Sequence, residues 1–256
     1  MPFCDSHAHL TSPEVLPIVH DVIQRAHQLS VDKIVNICTD QASLHEGLLL
    51  AKKELGIVNI GATTPHDVEK EGDLCFPLFE EAARGGLLRG IGETGLDYYY
   101  EELDKKVQQK FLVKYLYLAA ELELPVVFHC RNAFKDLFSI VDAEYPKKGL
   151  AVLHCFTGTM KEAEEVLKRG WHVSLSGIVT FKKSESLRDL ASIVPLEQLL
   201  IETDTPYLAP QSKRGKQNEP SFIIETAECI AKIKGVSLEE VAKRTYQNAE
   251  RLFCSC

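Results

Sequence analysis

The sequence predicts an α/β fold, a single (β/α)8 barrel of the TIM type, on three observations. Short β-branched runs alternate with longer amphipathic stretches, the pattern of βα units around a parallel sheet. Eight such runs can be read, at residues 2–4, 33–38, 57–62, 87–92, 125–129, 150–154, 171–175 and 198–201. The 256 residues match the usual size of one such barrel.

The helical stretches follow from spacing. Residues 13–29 carry Leu16, Val19, Ile23 and Ala26 at helical intervals. Residues 105–121 repeat the pattern with Val107, Phe111, Val113, Leu116 and Ala119. Residues 237–253 form the last helix, with Ser237 as N-cap and Glu240 completing a capping box. The stretch 190–194 is short before Pro195, so the seventh unit is the least regular. Eight strands in this length give one domain over residues 1–256. A doubly wound open sheet is the alternative, since it needs no closure.

Composition narrows the class. Hydrophobic residues make up 45% and charged residues 26%, the usage of a folded globular chain. There is no repeat of solenoid period and no apolar run of membrane-spanning length. The opening MPFCDSHAHL lacks the charged and apolar regions of a signal peptide, so a cytoplasmic location is expected. No CxxC pair occurs among the eight cysteines. Cys4, Cys38, Cys130 and Cys155 lie in or beside apolar runs, and Cys254 and Cys256 lie at the tail. Free thiols are expected rather than disulfides or a zinc knuckle. No heptad or broad apolar face stands out, and a monomer is expected. The net charge of −8 argues against nonspecific coating of nucleic acid. Two divalent cations held in one cleft would still reverse the local potential.

The chemistry sits at strand ends. His7 and His9 follow the first strand in DSHAHL. Residues i and i+2 share a face of extended backbone, so both imidazoles can reach one ion. Glu93 ends the fourth strand in GIGETGLD, His129 the fifth in PVVFHCRNAF, and His154 the sixth in LAVLHCFTG. Asp204 follows the eighth in LLIETDTP. Taken singly, each has a bland reading, a structural histidine or a carboxylate capping a turn. All six fall at the carboxyl-terminal mouth, where barrel active sites are assembled. Burying such a cluster without cations would be costly. Six groups exceed one tetrahedral shell, so two divalent ions are expected. Glu93 would bridge them about 3.5–4 Å apart, with His7, His9 and Asp204 on one ion and His129 and His154 on the other. This donor set suits Zn2+ or Mn2+, and Mg2+ would need further oxygens. His20, His27 and His45 fall on helices and read as surface residues. His172 lies at the opposite end of its strand. His66, after the third strand, is a candidate substrate contact.

In this order, DSHAHL, GETGLDYY, HCRNA, HCFTG and ETDTPYL resemble the motifs of the TatD family of metal-dependent deoxyribonucleases, in the amidohydrolase-like barrel superfamily. SKRGKQNEP resembles that family's basic loop before the penultimate helix. The resemblance runs from residue 4 to about residue 253. It implies a (β/α)8 barrel, a dinuclear or cation-activated centre, and hydrolysis of DNA phosphodiesters, often from the 3′ end, with single-stranded DNA as partner. It supports His7, His9, Glu93, His129, His154 and Asp204 as ligands. It also supports Arg131 and the loop around Arg214 as substrate contacts. One departure is visible. Many relatives carry a histidine in a G-x-H-P-H segment where this chain has Thr64 in ATTPH, and only His66 remains. That change bears on nuclease strength rather than on the metal site.

The expected mechanism is attack by a cation-activated water. Glu93 would hold the ions, and Asp204 would orient the water or accept its proton. Arg131 could grip phosphate bidentately, and Lys213, Arg214 and Lys216 could hold neighbouring phosphates. Tyr98, Tyr99 and Tyr100 lie near the mouth, where one could stack on a base. Two other functions compete. A small-molecule amidohydrolase or phosphoesterase could use the same barrel, although many of those bridge their metals with a carbamylated lysine where this chain has Glu93 or His129. A non-enzymatic metal-binding scaffold is the other, and the complete ligand set argues against it.

Overall fold

The computed structural model describes residues 2–100 and 102–254. Its sheet contains eight parallel strands in chain order. They are β1 (Phe3–Ala8), β2 (Val31–Cys38), β3 (Ile57–Gly61), β4 (Ile91–Asp97), β5 (Val126–Arg131), β6 (Ala151–Leu153), β7 (His172–Leu175) and β8 (Leu199–Ile201). The seam between the last strand and the first is closed by a parallel bridge from Ala8 to Thr205. There the Asp204 amide donates to the His7 carbonyl at 2.9 Å and the His9 amide to the Thr205 carbonyl at 2.8 Å. Closure gives the (β/α)8 barrel and removes the open-sheet alternative.

Helices α1 (Val19–Gln28), α2 (Gln41–Lys53), α3 (Val68–Arg84), α4 (Lys105–Glu121), α5 (Phe134–Glu144), α6 (Met160–Lys168) and α7 (Glu185–Ile193) lie between successive strands. After β8 come α8 (Ile223–Lys234) and α9 (Leu238–Phe253). The short seventh unit is therefore a full strand and helix. Most of the core lies between the strands and these helices, where Ile34, Phe79, Phe111, Tyr115 and Phe128 are buried. Alternation along β2 turns Val35 and Ile37 the other way, into a second cluster with Ile60, Val127, Val152 and Leu200. Leu252 and Phe253 of α9 complete this inner cluster. The Asn248 amide donates to the carbonyls of Leu196 and Leu199, both at 2.7 Å. So α9 covers the amino-terminal ends of the strands, and the opposite end is left for chemistry.

Three expectations need correction. β1 continues to Ala8 rather than ending at Cys4, so His7 lies within the strand. β4 spans Ile91–Asp97 rather than starting at Leu87, and β5 runs on to Arg131, so Glu93 and His129 lie inside their strands rather than at the ends. Ser237 caps α9 through the Glu240 amide at 3.1 Å, but the Glu240 carboxylate turns to Arg244 at 2.7 Å instead of returning to the cap. The predicted capping box is thus half formed. The cysteines Cys4, Cys38, Cys75, Cys130, Cys155, Cys229 and Cys254 are free, and Cys256 lies outside the described residues. No described helix is long and apolar enough to cross a membrane.

Candidate metal centre

The local backbone explains how the strands deliver their polar groups. In β4 the alternating residues Glu93, Gly95 and Asp97 share one side. Gly95 has φ +147°, and a Cβ there would stand 1.9 Å from the His129 carbonyl oxygen. Only glycine lets β4 and β5 approach this closely. After β8 the chain bends at Asp204, whose φ is +59°. Aspartate tolerates that left-handed conformation better than most residues.

Glu93 is the centre of the cluster. Its Oε1 lies 2.7 Å from His129 Nδ1 and 2.9 Å from His154 Nε2. Its Oε2 lies 3.4 Å from His7 Nε2 and 3.7 Å from His9 Nε2. Asp204 Oδ1 closes the second group, 3.7 Å from His7 Nε2 and 3.5 Å from His9 Nε2. Donor atoms of His7, His9 and Asp204 lie within 4.8 Å of one another, and so do those of Glu93, His129 and His154. All six residues read from strand ends therefore converge, and further groups overlap them, His7 and His154 with Glu202, and His129 with His66 and Asp97.

The donor set fits divalent cations. His7 is fully buried, and neither ring nitrogen has a hydrogen-bond partner. Leaving a buried polar group unpaired costs about 1–3 kcal/mol. Burial alone would favour neutral groups, but the His154 and His129 imidazoles hold the Glu93 carboxyl well below the usual range. In return, the Glu93 and Glu202 carboxylates overcome burial and raise His154 well above its ordinary value. Asp97 and Glu93 raise His129 in the same way, and Asp204 raises His9. Burial and the neighbouring His154 lower His7. This cage of carboxylates attracts positive charge, which protons or cations can supply.

Two acidic residues were missed in the sequence. Asp97 is buried, and its Oδ2 lies 2.9 Å from His129 Nε2 and 2.8 Å from His66 Nε2. Glu202 is buried beside His154. Both stand two or four residues from a candidate ligand on the same strand or its extension, and that period-2 spacing was the available signal.

The centre opens into a cavity of about 960 Å³. His9, Glu93, His129, His154 and Asp204 line it, and so do Thr64, His66, Tyr100, Arg131 and Tyr207. The Arg131 guanidinium rests 3.6 Å above the Tyr99 ring. His66 meets Tyr100 edge-on at 5.6 Å. Thr64 donates to Asp67 at 2.7 Å. Tyr98 faces away, bound to Asp136 at 3.0 Å under Lys105. The basic loop does not reach the lining. Arg214 packs over Phe181 at 4.5 Å and Lys213 over Phe222 at 5.3 Å, while Lys216 is exposed. Away from the mouth, His20 pairs with Glu54 at the surface, and His172 opens β7 far from the cluster.

A family model described as TatD related DNase matches residues 4–254. The chain is 38% identical to the uncharacterized metal-dependent hydrolase YcfH of Escherichia coli strain K12, over 97% of this chain and 94% of that protein. It is 34% identical to a protein of Erwinia tasmaniensis named 3′-5′ ssDNA/RNA exonuclease TatD, over 97% of this chain and 98% of that protein. The crystal structure of YJJV, a TatD homolog from Escherichia coli K12, superposes with a TM-score of 0.93 at 25% identity, covering 99% of this chain and 98% of the other. The chain belongs to the TatD-related DNase family and is a metal-dependent hydrolase.

Proposed function

We propose that the protein hydrolyses phosphodiester bonds in DNA, as a monomeric cytoplasmic 3′–5′ exonuclease on single strands that uses two divalent cations, Mg2+, Mn2+ or Zn2+. One observation carries this reading: the two oxygens of Glu93 face two separate groups of donors. A bridging carboxylate between paired ions suits in-line displacement at phosphorus. The name of the Erwinia relative supports a nucleic-acid substrate.

In this reading His7, His9 and Asp204 would hold one ion, His129 and His154 the other, and Glu93 would serve both. Bound there, divalent cations supply Lewis acidity to a phosphoryl oxygen and lower the pKa of water. Asp204 lines the cavity and is the residue positioned to orient that water or take its proton. Arg131 lines the same space with its guanidinium stacked on Tyr99, and would grip phosphate bidentately. His66 is fixed through Nε2 by Asp97, and its other nitrogen remains for substrate. Arg214 and Lys216 contact the strand only beyond the cavity, as an outer electrostatic rim.

The test is digestion of 5′-labelled single-stranded DNA by chelator-stripped protein resupplied with each metal, beside His129→Ala. Metal-dependent shortening from the 3′ end, lost in the variant, is expected. Intact DNA in the presence of bound ions would refute the reading and favour a small-molecule ester or amide.

A further inference from the structure

One buried carboxylate has no part in the assignments above. Glu202 is 0% exposed, and neither of its oxygens has a hydrogen-bond partner. Its Oε1 lies 3.4 Å from His154 Nδ1, close but out of alignment, and that nitrogen has no other partner. A ring nitrogen of His7 completes the group, with all three donor atoms within 4.8 Å of one another. The His7 and His154 rings stack at 3.9 Å and 10°.

The other nitrogens of the two rings point elsewhere. His154 aims Nε2 at Glu93, and His7 aims Nε2 at Glu93 and Asp204. Nδ1 is left on each ring as a buried nitrogen without a partner. Burying an unpaired carboxylate is costly. Among the described residues no lysine or arginine pairs with Glu202, and only the imidazole of His154 comes within ion-pair distance. The nearby Asp5 does not compensate, because both of its oxygens are engaged by Thr203 and one also by the His7 amide. The stacked imidazoles are the groups left to satisfy Glu202.

We propose that Glu202 is a positioning residue for the metal centre, its two oxygens taking the Nδ1–H groups of His7 and His154. A neutral imidazole carries one N–H, so holding it at Nδ1 leaves the Nε2 lone pair free for a cation. One carboxylate thereby fixes the tautomer and orientation of two imidazoles, one in each donor group. The proposal rests on the reading of His7 and His154 as ligands, and not on the identity of the substrate.

Glu202→Gln keeps the volume but can accept through only one oxygen. Glu202→Asp keeps the charge but shortens the reach, and it carries the test if the glutamine variant does not fold. Both are compared with the wild type as chelator-stripped full-length protein titrated with Zn2+ and with Co2+, without substrate. Expected are an unchanged number of ions at saturation, affinity weakened roughly ten- to hundredfold, and altered Co2+ absorption bands. The aspartate variant should be intermediate. Unchanged affinity and spectrum would overturn the proposal. So would the loss of one ion at saturation, which would make Glu202 itself a ligand. A wild type that takes up no ion would remove the ligand reading and this proposal together. Normal metal uptake without DNA cleavage would count against the proposed substrate alone.

Discussion

Asp97 and His129 are joined by a 2.9 Å contact between Oδ2 and Nε2, while the opposite nitrogen of the same ring faces Glu93. The aspartate lies at the end of β4 and the histidine in β5, and their strands are paired in register at Gly95–His129 and Asp97–Arg131. A carboxylate in this position fixes which nitrogen carries the proton and raises the basicity of the other. Asp97→Asn should therefore weaken metal binding by roughly ten- to hundredfold with little loss of folding. Chelator competition on the stripped protein measures this, and an unchanged affinity would show that Asp97 serves only the loop after β4.

The same charge arrangement sets a pH dependence for the metal-free protein. His9, His129 and His154 are raised by their carboxylates once burial is overcome. Burial likewise pushes Asp5 up to about 7 against its hydrogen bonds to Thr203. Each of these groups binds its proton more tightly in the folded state. Their stabilisation is complete below the unfolded pKa and is lost as pH rises through the folded value. Glu93 acts in the opposite sense, contributing above its ordinary carboxyl range and losing that contribution as pH falls. His7, lowered by burial, also opposes them. The stripped protein should thus lose melting temperature as pH rises from about 6.5, the ordinary histidine value. Cations compete with these protons, so the stabilisation conferred by saturating Zn2+ should grow over the same range. Differential scanning calorimetry at several pH values, with and without metal, tests both slopes. A metal-free melting temperature that climbs above neutrality would contradict the charge assignment.

Gly95 offers a structural test. An alanine there would drive its Cβ into the His129 carbonyl and require a φ of +147°. Overpacking and backbone strain together should cost on the order of 3 kcal/mol. Chemical denaturation of Gly95→Ala should show that loss, with metal affinity falling as the β4–β5 approach opens. Gly170→Ala is the comparison, since no atom lies within 4 Å of a Cβ placed there. A Gly95→Ala variant no less stable than Gly170→Ala would disprove the close-approach argument.

The sequence was most legible where pattern and chemistry coincided. α4 occupies Lys105–Glu121, the range its apolar spacing predicts. The six candidate ligands stand out because strand ends at one barrel mouth are where such groups are useful. Legibility failed where function overrides propensity. GETGLD is polar and glycine-rich, so the fourth strand reads as ending with it, yet it makes up all of β4 after Ile91 and is wholly buried. Its carboxylates are tolerated because His129, His154 and His66 pair with them at the centre. Asp97 and Glu202 were overlooked for the same reason: a carboxylate after a strand looks like a cap until the histidine beside it is known. The basic loop failed differently. Arg214 and Lys213 follow β8 in sequence, but they lie on aromatic faces instead of in the cavity.

That difference separates two arginines that looked alike in the sequence. Arg131 lines the cavity, with its guanidinium stacked over Tyr99. Arg214 is outside the lining and stacked on Phe181. A hydrogen bond to a charged group is worth about 1.5–3 kcal/mol, which corresponds to roughly ten- to hundredfold in affinity. Arg131→Ala should raise KM for single-stranded DNA by about that factor, with a smaller effect on kcat, because binding a neighbouring phosphate acts on ground state and transition state alike. Arg214→Ala should change KM only about twofold and should mainly flatten the salt dependence, as expected of an outer charge. Steady-state kinetics at two salt concentrations distinguish the pair. Equal losses from both substitutions would mean that the basic loop folds over the cavity when substrate binds. A larger loss from Arg214→Ala would move the phosphate-gripping role to that loop.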